Sequence, residues 1–153
     1  MILDADLSVM PEELPMFFSA LVSGNGYFVN GSRLIYPMQK QAMRFANIIG
    51  NKVFSLIFSF LLDQRIKDTL CGTKTLWRRD WLEMEKGIGS WGIKDLWGDY
   101  ELLFGAAKLH LEIIEVPVHY QERIYGATKM TKVFRNGLRM LGICWHAWFR
   151  LGG

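Results

Sequence analysis

Two carboxylates stand one residue apart near the start of the chain, directly after the apolar residues of Met1–Leu3. If Met1–Leu3 is the end of a buried strand, Asp4 and Asp6 project to the same side, because side chains alternate along an extended backbone. Paired carboxylates at a strand end are hard oxygen ligands that suit a divalent cation, and such a cation can neutralise a diphosphate. The spacing therefore indicates a metal site.

A helix cap is the alternative explanation of the same stretch. Asp6 or Ser8 would accept amide hydrogen bonds ahead of Pro11-Glu12-Glu13, which has the proline and acids typical of a first helical turn. That alternative leaves Asp4 unexplained, which favours the metal.

Two arginines, Arg33 and Arg44, lie in the next predicted segments of the chain. Arg33 comes directly after the short apolar run Tyr27–Asn30, in a predicted loop Gly31-Ser32-Arg33, and its planar guanidinium suits a phosphate. Arg44 lies on a helix predicted to begin at Met38. A surface arginine in a turn is the alternative for Arg33.

A second basic group lies in the predicted loop Gln121–Lys132, which carries Arg123 and Lys129. These side chains are candidates to close over a phosphate. The alternative is a solvated basic face.

Two acids open a predicted helix over Tyr100–Leu109. Asp99 is placed as its N-cap and Glu101 in its first turn, where acids are favoured. Either carboxylate could also serve as a general base that faces an acceptor. The two interpretations do not exclude each other.

The remaining pattern predicts an α/β fold with alternating helices and strands. The predicted elements are a helix over Pro11–Val22, strands over Thr73–Trp77 and Glu112–Tyr120 (with Pro117 indicating an edge strand), a helix over Asp80–Lys86, and a Gly- and Trp-rich loop over Gly87–Gly98.

The totals describe one modest domain with a substantial core. The chain has 153 residues, half of them hydrophobic, and a net charge of +3 that does not by itself indicate nucleic acid. Cys71 and Cys144 have no metal or redox spacing, which indicates free thiols in a reducing compartment. The longest apolar run, Val53–Leu62, is shorter than the roughly 20 residues of a membrane-spanning helix.

The last segment, Val133–Leu151, mixes arginines with Trp, Leu and Phe. Bases and aromatic residues on one helix are typical of a helix that lies in a membrane interface, which is the interpretation that we prefer to packing on a partner segment. We therefore divide the chain into residues 1–132 and an amphipathic helix over 133–153.

Five motifs in one order resemble the family 2 glycosyltransferases of the GT-A fold, in the dolichyl- or polyprenyl-phosphate mannosyltransferase-like branch. They are DADL at Asp4–Leu7, NGSR at Asn30–Arg33, DTLCGTKTLWRR at Asp68–Arg79, GDYELLFGAAKLHLEIIEVPVHYQER at Gly98–Arg123 and YGATK at Tyr125–Lys129.

The resemblance implies a partial GT-A fold, a mixed sheet with flanking helices, and metal-dependent, inverting transfer of a hexose from a nucleotide-diphosphate sugar to polyprenyl or dolichyl phosphate. Asp4 and Asp6 would hold Mg²⁺ or Mn²⁺ against the donor diphosphate, where the metal stabilises the leaving nucleoside diphosphate. The resemblance also assigns Arg33 and Arg44 to the acceptor phosphate, Arg123 and Lys129 to the donor phosphates, and Asp99 to the position of an acidic base.

Asp99 would be catalytic only if the acceptor is a sugar hydroxyl, since a lipid phosphate is already an anion. Transfer to a saccharide hydroxyl in polysaccharide synthesis is therefore one alternative function, and a non-catalytic membrane-associated module is another.

In the family, strands and helices that bind the nucleotide precede the DAD motif, and two or three βα units of roughly 30 residues each are expected there. We expect the chain to be the C-terminal portion of such an enzyme, without the N-terminal nucleotide-binding half and inactive in isolation. We also expect it to be cytoplasmic and peripheral at the inner face of the membrane.

Overall fold

The structure, a computed structural model, describes residues 1–4, 6–24, 26–33, 45–89, 98–121 and 133–151. Within these ranges helices and strands alternate, so the fold is α/β. The helices are α1 (Leu14–Val22), α2 (Phe45–Leu62), α3 (Arg78–Glu85), α4 (Asp99–Lys108) and α5 (Val133–Leu151), and the strands are β1 (Phe28–Ser32), β2 (Lys74–Leu76) and β3 (Ile113–Pro117). A short 3-10 helix, Pro11–Glu13, leads into α1.

The three strands form one mixed sheet in the order β2–β1–β3. β1 pairs antiparallel with β2, with Asn30 opposite Lys74, and parallel with β3, with Ser32 opposite Pro117. Because β2 runs antiparallel to β1, its first residue lies toward the end of the sheet where β1 and β3 end. The predicted mixed sheet with flanking helices is confirmed, and Pro117 lies on an edge strand of the sheet that the described residues form.

Helices cover both faces of the sheet. Successive strand residues alternate between these faces, so neighbouring residues of β1 face different cores. Phe28 of β1 faces a core made with α2, α4 and α5, whereas Val29 faces a second core made with α1. The aromatic ring of Phe58 lies at the centre of the larger core, 4.4 Å from the ring of Tyr100 and 5.0 Å from that of Phe104. Aromatic packing of this kind fixes α4 against α2.

Helix α5 belongs to the larger core as well. One side of it buries Met140, Ile143, Cys144 and Ala147 in the cluster that includes α2 and α4. The helix predicted over Val133–Leu151 is confirmed. In the ranges that the structure describes, no helix combines the length and the hydropathy needed to cross a bilayer.

Two predicted strands differ from those observed. Instead of a strand over Met1–Leu3, only Ile2 pairs, through an antiparallel bridge with Lys74. Conversely, β1 continues through Gly31 and Ser32, which we predicted to be a loop. The prediction was wrong because this segment is buried on both faces and Gly31 N–H donates to the Thr73 carbonyl at 3.0 Å, which continues the ladder.

The predicted N-cap role of Asp99 is also wrong. Gly98 is the residue before α4, with a φ of 77° that suits glycine, and no side chain caps the helix. Asp99 is the first helical residue, and its carboxylate binds Lys74 instead.

The other predicted elements agree with the structure to within a few residues: the helix over Pro11–Val22, the strand over Thr73–Trp77, the helices over Asp80–Lys86 and Tyr100–Leu109, and the strand over Glu112–Tyr120. The predicted helix start at Met38, the middle of the Gly- and Trp-rich loop and most of the basic loop lie outside the described residues.

Candidate functional site

The candidate site lies at the sheet edge where β1 ends and β2 begins. Ile2 pairs with Lys74 in the antiparallel sense, so the chain that leaves Ile2 runs toward the start of β2. This path brings Asp4 against the backbone of Gly72, where a Cβ atom would collide with the carboxylate. A glycine at this position therefore lets the acid lie directly on the loop that precedes β2.

Asp4 is surrounded by charges from four separate segments of the chain. Asp4 is exposed as a whole residue, but the partial burial of its carboxyl group raises its pKa most, and the neighbouring carboxylates of Asp99 and Asp6 raise it further. Lys74 and Arg33 act in the opposite direction without cancelling these effects. A carboxylate that lies near other negative charges is stabilised when a cation binds to it.

Asp6 is held in a tight turn by Ser8. Its Oδ1 accepts the Ser8 N–H at 3.0 Å and the Ser8 hydroxyl at 2.6 Å. Asp6 thus accepts an amide hydrogen bond, but the alternative explanation of a helix cap does not hold, since the residue before the 3-10 helix is Met10 and no side chain caps it. The turn instead fixes the Asp6 carboxylate at a position where its negative charge acts on Asp4.

Lys74, like Asp68, is a residue of this site that the sequence did not single out. It is fully buried, and its Nζ donates to the Cys71 carbonyl and, at 2.5 Å, to Oδ1 of Asp99. Lysine is almost never fully buried unless it is paired, and Asp99 supplies the matching charge. The one available signal was a lysine at an inward position of a short β-branched strand, which by itself is weak.

Asp99 and Glu101 lie on different sides of α4, because residues two apart on a helix differ by about 200° in direction. Asp99 contacts Lys74 and acts on Asp4, whereas Glu101 accepts the Gly89 N–H at 3.0 Å. The structure thus brings Asp99 to the site and ties Glu101 to the segment that follows α3.

Arg33 is bound on its protein side by a buried carboxylate. Its Nε and Nη2 each donate to Asp68 at 2.7 Å, and its backbone N–H donates to the same carboxylate at 3.0 Å. The guanidinium also lies 5.1 Å from the centre of the Tyr120 ring. The side chain is therefore fixed in one orientation beside Asp4.

Asp68 is fully buried and organises the segment between α2 and β2. Asn51 of α2 donates to its Oδ1 at 2.8 Å and the Leu70 N–H does so at 3.1 Å, while the Asp68 N–H itself binds Glu115 of β3 at 2.9 Å. Burial alone would raise the pKa of Asp68, but the Arg33 guanidinium and the hydrogen bonds from the backbone N–H groups of Arg33 and Leu70 lower it to about 2.

The two thiols do not take part in this chemistry. Burial raises the pKa of Cys71 and of Cys144 to about 12, and both are free cysteines, as predicted. A thiol with such a pKa stays protonated near neutral pH and is a poor nucleophile.

The donors at the site suit a hard divalent cation in kind but are few in number. Asp4 and Asp6 supply carboxylate oxygens, whereas no group of three or more acidic, histidine or cysteine side chains with metal-binding geometry occurs in the described parts of the chain. Mg²⁺ sites in phosphate-handling enzymes use one or two carboxylates with substrate phosphates and water, and the pair here fits that composition.

Arg44, Arg123 and Lys129 lie outside the described residues, so their assignment to phosphates stays a prediction. Among the predicted site residues that are described, Asp4, Asp6, Arg33 and Asp99 share one charge cluster and Glu101 has a different contact.

The chain was also compared with known proteins. No protein-family model matches it, and no solved structure is significantly similar to it.

Replacing Asp68 with asparagine should lower the free energy of unfolding at pH 7 by about 3–5 kcal/mol, because Arg33 would keep a buried charge without its partner. The folded pKa of about 2 lies below the unfolded value of about 3.9, so Asp68 stabilises the fold above about pH 4 and loses this effect as the pH falls toward 2. Urea unfolding at pH 7 and pH 3 measures the change. Asp63→Asn, at an exposed residue after α2, is the matched control and should have little effect.

Asp4→Asn should have the opposite sign and raise the melting temperature at pH 7. The pKa of Asp4 is raised in the fold, so its ionised form destabilises the protein above that pKa, and the difference disappears below the unfolded value of about 3.9. Asparagine has nearly the same shape and fits beside Gly72. Thermal unfolding at pH 7 without divalent cations tests this, and a destabilised Asp4→Asn protein would contradict the charge balance described above.

Proposed function

We propose that the chain belongs to a metal-dependent GT-A glycosyltransferase of family 2, which transfers a hexose from a nucleotide-diphosphate sugar to polyprenyl phosphate with inversion. The chain contributes the metal-binding carboxylates and the acceptor side of the active site.

One observation carries the proposal. The residues that the five motifs single out come from segments far apart in the sequence, yet Asp6, Arg33 and Asp99 each act electrostatically on Asp4, which lies against Gly72 at one edge of the sheet. An ion pair that only stabilises the fold does not need several carboxylates close together, since their repulsion lowers stability. A site that binds a cation and phosphates does need several carboxylates close together.

Asp4 and Asp6 would hold Mg²⁺ or Mn²⁺, which supplies the positive charge that stabilises a leaving nucleoside diphosphate. The turn at Ser8 and the glycine at position 72 place these two carboxylates before any ligand arrives. In the complete site Arg123 and Lys129 would bind the donor phosphates.

Arg33 and Arg44 would bind the acceptor phosphate. Asp68 holds Arg33 from behind through Nε and Nη2, so the side chain is oriented in advance and little entropy is lost when it meets an anion. Because Nε and Nη2 bind Asp68, a phosphate would meet the N–H groups of the guanidinium that point away from Asp68.

The state of Asp99 favours a lipid phosphate over a sugar hydroxyl as the acceptor. Its Oδ1 is taken by the ammonium of Lys74, so that oxygen is not available to accept a proton from a hydroxyl. A phosphate acceptor is already an anion and needs no base.

An exposed apolar surface supports peripheral attachment to a membrane. Residues at helical spacing on α2 and on α5 point away from the core, and the rings of Phe60 and Trp148 stack at 5.2 Å and join the two helices. The surface consists of Ile49, Val53, Leu56, Phe60, Phe134, Leu138, Leu141, Trp145, Trp148 and Phe149, and we name it the α2–α5 face. Such a large apolar patch marks an interaction site.

The charges of these two helices indicate an anionic lipid surface as the partner. Neither helix contains an Asp or Glu, although the chain has 15 acids, while α2 carries Lys52 and α5 carries Arg135, Arg139 and Arg150. Bases with exposed Trp, Phe and Leu on one surface are the composition of interfacial helices. The α2–α5 face would bring the acceptor side of the site to the inner face of the membrane.

Mn²⁺ and a nucleoside diphosphate should stabilise the protein together by more than the sum of their separate effects, because the metal links the acids to the diphosphate. At a hundredfold excess over the dissociation constant the gain is about 2.7 kcal/mol, which raises the melting temperature of a domain of this size by several degrees. GDP and UDP are the probes in thermal unfolding, and Asp63→Asn is the control. Loss of the joint effect in Asp4→Asn supports the proposal, whereas purely additive shifts in the unaltered protein would favour a non-catalytic membrane-associated module.

Leu56→Asp should weaken binding to vesicles that contain anionic phospholipid by roughly tenfold or more, since it removes an apolar contact and adds a repelled charge. Leu56 is 72% exposed, so folding should tolerate the change. Leu82→Asp makes the same substitution at a 43% exposed residue of α3, away from the α2–α5 face, and should bind as before. Co-sedimentation measures both, and equal losses would exclude the α2–α5 face as the membrane contact.

A further inference from the structure

A buried ammonium lies within the acidic cluster of the candidate site. The residue Lys74 has no exposed surface, although its side chain carries a charge, and it projects from β2 toward the first turn of α4. Burying an ammonium is unfavourable unless the surroundings compensate it. Here the compensation comes from Asp99 and from the carbonyl of Cys71.

The same ammonium influences the proposed metal ligands. Lys74 is among the charges that act on Asp4, and so is Asp99, its partner. Lys74 therefore does two things at once: it binds a carboxylate that acts on Asp4, and it adds a positive charge that repels a second cation.

We propose that Lys74 is a positioning residue whose ion pair with Asp99 keeps the affinity of the site for a bare divalent cation low until a diphosphate arrives. This inference rests on the proposed function. While Oδ1 of Asp99 is bound to Lys74, an incoming cation meets chiefly the carboxylates of Asp4 and Asp6. Two carboxylates bind such a cation weakly, and phosphate oxygens complete the set of ligands.

A diphosphate changes this balance because it brings its own negative charge. It attracts the cation directly, and it also interacts favourably with the ammonium of Lys74 and the guanidinium of Arg33, both of which act on the same site. Metal and diphosphate therefore bind as a pair, and an enzyme with this arrangement holds little metal between reaction cycles.

The test measures Mn²⁺ affinity directly, through the electron paramagnetic resonance signal of free Mn²⁺, without any nucleotide or sugar. Lys74→Met removes the charge, keeps an unbranched side chain and releases Asp99. We expect it to bind Mn²⁺ at least roughly tenfold more tightly than the unaltered protein. Lys74→Arg keeps the charge and should keep the weak affinity.

The double variant Lys74→Met with Asp99→Asn identifies the released carboxylate. If Asp99 is the group that Lys74 restrains, the double variant should lose most of the gained affinity, since no third carboxylate is then available. Lys74→Gln, which can still donate a hydrogen bond to the Cys71 carbonyl, provides the same measurement should Lys74→Met not fold.

The outcomes separate this inference from the proposed function. If Lys74→Met lowers the melting temperature but leaves Mn²⁺ affinity unchanged while Asp4→Asn still abolishes binding, the metal site stands and Lys74 is only structural. If neither the unaltered protein nor Lys74→Met binds Mn²⁺ in a manner that depends on Asp4, the metal site itself is refuted, and the proposed function with it.

Discussion

The ion pair between Arg33 and Asp68 is the interaction on which the candidate site depends. It joins the end of β1 to the segment that precedes β2, and Asn51 and Glu115 connect that segment to α2 and β3. Without Asp68 the arginine would be a buried charge without a partner, and the segment that contains Gly72 would lose its anchor. Because Asp4 lies on Gly72, the position of the proposed metal ligand follows from a salt bridge formed by other residues.

Two carboxylates of the site, those of Asp68 and Asp4, have different consequences for the stability of the fold. Asp68 is ionised in the fold and stabilises it, since its pKa lies well below that of a free side chain. Asp4 has a raised pKa, so its ionised form works against folding. A protein selected for stability alone would not keep such a carboxylate. Its presence next to Asp6, Lys74 and Asp99 is the kind of local cost that functional sites carry while the remaining structure supplies the stability.

The alternation of helices and strands could be predicted because it depends on local patterns. Pro11–Val22 has apolar residues at helical spacing with a proline at its start, and Val133–Leu151 has an amphipathic pattern. The errors were made where tertiary contacts override those patterns. Gly31 and Ser32 look like a loop but extend β1, since both sides of the segment are buried. Asp99 looks like a cap but binds a lysine 25 residues earlier, a contact that no local rule reveals.

The same reasoning explains which part of the site the sequence could disclose. Asp4, Asp6 and Arg33 were found because their residue types and motifs indicate phosphate chemistry. Asp68 and Lys74 were missed, although both stand within one of the five motifs, because a charged residue in a sequence is expected to be solvated. Only the fold shows that these two are buried and that each binds one of the predicted residues. A charged side chain that cannot reach water must act on other charges, and here the charges within reach are those that would bind a metal and phosphates. The chemistry of the site is therefore set as much by the two buried residues as by the acids and the arginine that first indicated it.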